Sequence, residues 1–169
     1  MAAKLGYDFP LLREIARIND EALEATITKI RDALWNISGK RIALLGLAFK
    51  PHTDDIRNSP SLVLAKRLTA LGGEVVGFDP RAAANAKDEA AGLLISSDVY
   101  EAVAGAHAAV IGTAWPEFRD LDLGRVRDLM AYPILIDARN ALDANALVAA
   151  GFAYYAMGRP PHNSGEGER

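Results

Sequence analysis

Apolar residues recur with a helical period up to about residue 35, and beyond residue 40 they gather into short runs. Leu11, Ile15, Ile18, Ala22 and Ala25 step by 4, 3, 4 and 3, and Leu23, Ile27, Ile30 and Leu34 form a second stripe beside them. This predicts one helix over 10–35, with Pro10 at an early helical position and Asp8 available as its cap. About 25 residues at 1.5 Å each make a rod of about 38 Å, longer than one small domain needs for its own core. Two readings stay open: a helix packed on its own domain, and one packed against another domain or a second subunit. Asn36-Ile37-Ser38-Gly39-Lys40 breaks the helix and marks a domain boundary.

Beyond it, short apolar strands alternate with helices. Strands are expected over 41–47, 74–78, 93–95, 108–113, 134–137 and 153–157. Between them, helices are expected from Ser59-Pro60 to about 71, over 82–91, from Ser97 or Asp98, over 123–130 and over 143–150. Ser59 reads as an N-cap followed by proline at the first helical position, and Gly72-Gly73 ends that helix. The alternation specifies an α/β fold: a doubly wound, mostly parallel sheet with helices on both faces, preceded by one long helix. Residues after Gly158 are rich in proline, glycine and charge and read as a disordered tail.

Composition narrows the function. The 169 residues are 50% hydrophobic and 24% charged, which excludes a disordered chain, but 31 of them are alanine, so the core must mix small and large side chains. A net charge of -3 leaves no basic footprint for nucleic acid, so any anionic partner is a small one. The longest apolar span, 102–115, is 14 residues and contains His107, too short to cross a membrane. Cysteine is absent, which removes disulfides, thiolate metal sites and a thiol nucleophile, and fits a cytoplasmic protein.

In an open parallel sheet, ligands lie beyond the carboxyl ends of the strands. The first strand ends in a single Gly46 with no G-x-G-x-x-G, so a dinucleotide site within this chain is poorly supported, although Asp79 occupies the place of the usual ribose-binding acid. Asp79-Pro80 reads equally as a turn starter. Cations stand where the glycines would be: Lys50 and Arg57 after the first strand, Arg139 after the fifth. Converged, they would bind a phosphate group; taken singly, each is an ordinary surface charge. Asp54-Asp55 reads as a partner for Arg57 or a turn cap rather than a metal site. His52, His107 and His162 are scattered, and His107, bordering a strand, reads as structural. Trp115 and Phe118 fit either the core or the cleft wall.

The stretch Gly46-Leu47-Ala48-Phe49-Lys50-Pro51-His52-Thr53-Asp54-Asp55-Ile56-Arg57-Asn58-Ser59-Pro60 resembles the signature opening the C-terminal domain of the UDP-glucose/GDP-mannose dehydrogenase family. Phe78-Asp79-Pro80, Thr113-Ala114-Trp115-Pro116-Glu117-Phe118, Ile136-Asp137-Ala138-Arg139-Asn140 and Gly151-Phe152-Ala153-Tyr154-Tyr155 follow in the family's order. Leu5-Gly6-Tyr7-Asp8 and the long helix resemble the end of its central dimerisation helix.

The resemblance implies a Rossmann-like domain over 37–159, a dimerisation-helix end over 1–36, a tail over 160–169 and a homodimer. Phe49, Lys50 and Arg139 would contact a UDP-sugar, UDP-glucose being preferred, and Arg57 would reach across the cleft to NAD. Such enzymes oxidise the sugar 6-hydroxyl to a carboxylate in two hydride transfers to NAD, through a cysteine-bound thiohemiacetal and thioester. The family's cysteine and its N-terminal NAD domain precede the stretch matching Leu5. The chain is therefore expected to hold no catalytic residue and no metal, and to be inactive alone. Alternatives are a stand-alone nucleotide-binding regulator and a dimerisation module without catalysis.

Overall fold

The computed structural model describes residues 9–89 and 93–160. Six strands, β1 (Arg41–Leu45), β2 (Glu74–Phe78), β3 (Leu94–Ile95), β4 (Ala108–Ile111), β5 (Ile134–Asp137) and β6 (Ala153–Ala156), form one sheet in the order β3-β2-β1-β4-β5-β6. Every pairing is parallel; Ile42, for example, lies opposite Val75 on one side and Ala108 on the other. The helices are α1 (Pro10–Leu34), α2 (Pro60–Ala70), α3 (Ala83–Glu89), α4 (Val99–Val103), α5 (Leu123–Leu129) and α6 (Ala144–Ala149). The doubly wound α/β expectation thus holds, with an all-parallel sheet.

Alternation along β1 builds two cores. Ile42 and Leu44 pack with Ile27, Ile30 and Leu34 of α1 and with Leu62, Leu64 and Leu68 of α2. Ala43 and Leu45 pack on the other face with Val103 of α4, Val126 of α5 and Leu147 of α6. A central strand buried on both faces has to be apolar there, and the small Ala43 lies on the face that α4 covers.

The two stripes of α1 have different fates. Ile27, Ile30 and Leu34 are buried, each contributing about 1.5–3 kcal/mol, and Arg67 of α2 pairs with Glu24. Leu11, Leu12, Ile15 and Ile18 are about half exposed, so the amino-terminal half of the rod projects with a bare apolar face. The helix stops at Trp35, which takes a left-handed φ of 62° and is almost wholly exposed. Asp8, expected as the cap, lies outside the described residues, and the cap position is taken by Phe9, whose side chain does not cap the helix.

Three local expectations change. Ser59 stands at the cap position of α2 but does not cap it; its hydroxyl donates to the Leu47 carbonyl at 2.6 Å instead. The side-chain caps belong to Asp98, Asp122 and Asp143. The strand expected over 41–47 stops at Leu45, because Gly46 turns the chain with φ +94°. A 3-10 turn, Pro116–Arg119, was not foreseen. The helix end expected at 90–91 and the tail from 161 lie outside the described residues. No helix among the described residues is long and apolar enough to cross a membrane.

Candidate functional site

The strand order reverses between β1 and β4, and there the two carboxyl ends nearly touch. A Cβ on Gly46 would stand 2.6 Å from Thr113 Cβ, and one on Gly112 would stand 2.5 Å from the Gly46 carbonyl oxygen, so neither position admits a side chain. Both glycines serve this close approach, and no phosphate-binding glycine loop follows.

Asp79, at the end of β2, is buried, and its carboxylate accepts five hydrogen bonds. Oδ2 takes the Leu47 and Ala48 amides at 2.7 and 2.9 Å and the Trp115 indole N–H at 3.0 Å; Oδ1 takes the Arg81 and Ala82 amides at 2.9 and 2.7 Å. The turn-starter reading of Asp79 is met by Oδ1, while Oδ2 reaches across to the neighbouring strand. With both oxygens occupied, Asp79 is not free to take a ribose hydroxyl, so these residues do not form a dinucleotide cradle. Thr113 Oγ1 donates to the Ala48 carbonyl at 2.6 Å. Phe49 and Lys50 then emerge exposed, and Lys50 Nζ has no hydrogen bond or ion pair among the described residues. The Phe49 amide closes the loop on the Asp55 carbonyl at 2.8 Å.

Arg139 stands on the opposite flank. Its amide donates to Asp137 Oδ1 at 3.0 Å and its Nε to the Gly112 carbonyl at 2.7 Å, leaving both terminal nitrogens of the fork without a hydrogen-bond partner among the described residues. Burial lowers its pKa somewhat and Asp137 opposes this, so the group stays a cation. Asp137 is fully buried; its Oδ2 also accepts the Ala141 and Leu142 amides and the Tyr154 hydroxyl, at 2.8, 2.9 and 3.0 Å. Burial, reinforced by the Asp137 charge, pushes the Tyr154 pKa up, so this hydroxyl keeps its proton as a donor.

The three candidate cations are held differently. Arg139 reaches back to Gly112 at the switch point, Lys50 follows β1 close enough for its charge to act on Asp55, and Arg57 lines a groove of about 600 Å³ with Thr53, Asp54 and Asn85. Its guanidinium is bonded to both oxygens of Asp55, at 2.9 and 2.7 Å. That pairing was the expectation for Asp55, and the Arg57 hydrogen bonds hold the carboxyl down at a pKa of about 2. The Asp54 carbonyl accepts the Asn85 amide at 3.0 Å.

Trp115 and Phe118 prove to be core, the Trp115 ring meeting His52 edge-on at 5.7 Å. His107 is structural, as expected: its Nδ1 accepts the Arg41 amide at 3.1 Å. His162 lies outside the described residues. Sequence reasoning missed the buried clamps, Ser59, Asp79, Thr113 and Asp137. The signal available for three of them was a polar residue ending an otherwise apolar run.

Residues 43–144 match the family described as UDP-glucose/GDP-mannose dehydrogenase family, UDP binding domain. The chain is 37% identical over 160 residues to UDP-glucose 6-dehydrogenase YwqF of Bacillus subtilis, a match covering 94% of this chain and 36% of that protein. It is 40% identical over 151 residues to UDP-glucose 6-dehydrogenase of Rhizobium meliloti, covering 89% and 35%. Among solved structures, the UDP-D-ManNAc dehydrogenase of Pyrococcus horikoshii superposes with a TM-score of 0.76 at 30% identity, covering 94% of this chain and 36% of that one. The chain spans about a third of the length of these relatives.

Proposed function

The chain belongs to the UDP-glucose/GDP-mannose dehydrogenase family and carries its UDP binding domain, and from that premise we propose that the β1/β4 crevice holds the diphosphate of a UDP-sugar. The observation that carries this is the pair of cationic groups without a hydrogen bond or ion pair among the described residues, the ammonium of Lys50 after β1 and the terminal nitrogens of Arg139 after β5. A planar fork and a compact point charge are complementary ways of meeting phosphate oxygens. The half-exposed ring of Phe49 stands beside Lys50 and supplies apolar contact to the same ligand.

In this reading the whole protein is an NAD-dependent oxidoreductase acting on UDP-glucose and yielding UDP-glucuronate, in the cytoplasm. NAD supplies the oxidant and is held by a separate N-terminal domain. Arg57, a largely exposed cation of the first loop, meets it from this side. Residues 37–159 form the nucleotide-sugar unit and residues 1–36 the end of a dimerisation helix. The bare stripe of α1 supports a homodimer through that helix.

A thermal-shift series with UDP, UDP-glucose, GDP-mannose and NAD tests the ligand class. A ligand at about 100 times its Kd stabilises by about 2.7 kcal/mol, a rise of several degrees for a domain of this size. UDP and UDP-glucose are expected to raise Tm and NAD to leave it unchanged; stabilisation by NAD without UDP would overturn the reading.

A further inference from the structure

Leu47 and Ala48 lie beyond the ladder of β1, where no strand remains to pair with them. Their four backbone polar groups are nevertheless all satisfied, each by a side chain from another element. Both amides donate to Asp79 Oδ2, the Leu47 carbonyl accepts Ser59 Oγ, and the Ala48 carbonyl accepts Thr113 Oγ1. These three side chains are at most 3% exposed. A buried carboxylate without a cation is costly to hold, and here its charge is met by fixed N–H donors, a rigid arrangement. The two residues so fixed lead directly into Phe49 and Lys50. The opposite flank repeats the device: Asp137 binds the Arg139 amide and then those of Ala141 and Leu142.

We propose that Asp79 and Asp137 are positioning residues for the nucleotide-sugar site, each presetting the backbone that carries one cation, Asp79 for Lys50 and Asp137 for Arg139. This role rests on the reading of the crevice as a UDP site. Neither carboxylate touches the ligand. Their effect is to remove loop ordering from the cost of binding, so that two flexible cations meet the phosphates from fixed anchor points.

Calorimetric titration of the intact chain with UDP, over a double-mutant cycle, tests it. Lys50→Ala or Arg139→Ala is expected to weaken UDP about 10- to 100-fold by removing a charge-assisted contact. Asp79→Asn keeps the shape but turns an amide toward the backbone donors, and is expected to weaken UDP about 10-fold. In the Lys50→Ala background the same change should cost less than about two-fold, and in the Arg139→Ala background its full effect. Asp137→Asn should show the mirror pattern. Thr113→Val, which frees only the Ala48 carbonyl, should follow the Asp79 pattern with a smaller loss, and it decides the question if Asp79→Asn fails to fold. A merely structural role predicts equal losses in every background, and that result would overturn the proposal. If the unmodified chain does not bind UDP, the ligand reading itself falls and takes this role with it; if it binds but the losses are independent of background, the positioning role alone falls.

Discussion

Arg57 and Arg139 are the same chemical group in opposite states of readiness. Arg57 is turned back on Asp55 two residues away, an open pair screened by solvent, while Arg139 is anchored by Nε and keeps the outer edge of its fork unpaired. The Asp55 pairing has a signature in pH. Because the folded pKa is lowered, to about 2, the folded state favours the ionised carboxylate. Its contribution to stability is therefore complete above the ordinary carboxylate range near about 4 and is lost as pH falls from there to about 2. Carboxyl NMR titration should place Asp55 near 2, with Arg57→Ala returning it toward the ordinary range. A normal titration of Asp55 in the unmodified chain would mean that Arg57 is unpaired in solution.

At the scale of elements, α1 is half scaffold and half unclaimed surface. Its carboxyl-terminal half is fixed by Ile27, Ile30 and Leu34, and its amino-terminal half presents Leu11, Leu12, Ile15 and Ile18 to solvent. Covering that stripe with the same stripe of a second copy predicts a dimer by light scattering. Leu11→Glu with Ile18→Glu should give a monomer with unchanged far-UV circular dichroism; a monomeric unmodified chain would contradict the dimer. Ile30→Ala, in the docked half, should instead cost about 2–5 kcal/mol of stability. Both stripes were legible in the sequence because steps of 3 and 4 identify a helix, but side by side they read as one broad apolar face, and which half docks was not legible. The strands were legible as apolar runs, with ends misplaced by up to two residues where a glycine turn cut the ladder. Ser59 was misread because a serine before proline has the local signature of a cap, while its hydroxyl is taken by a carbonyl 12 residues away.

For the whole molecule, the all-parallel sheet leaves one place where the connections from two adjacent strands run to opposite faces, and the sequence alone places the candidate cations at strand ends. How they are held was legible only in part. Lys50 follows β1 and Arg139 follows β5, the two neighbours of β4, while Arg57 pairs with Asp55 as their closeness in sequence suggests. The distant partners of the clamps were hidden for a related reason. Asp79 reaches amides 31 and 32 residues away and Thr113 a carbonyl 65 residues away, and bonds between side chain and distant backbone leave no periodic trace. The proposed place of the diphosphate is this switch point, between residues that follow β1, β4 and β5. Backbone amide NMR during a UDP titration tests it most directly. Shift changes are expected at Leu47, Ala48, Phe49, Lys50, Thr113 and Arg139; changes confined to the hollow between Phe118, Leu123 and Leu147, or to α1, would exclude a diphosphate at the switch point.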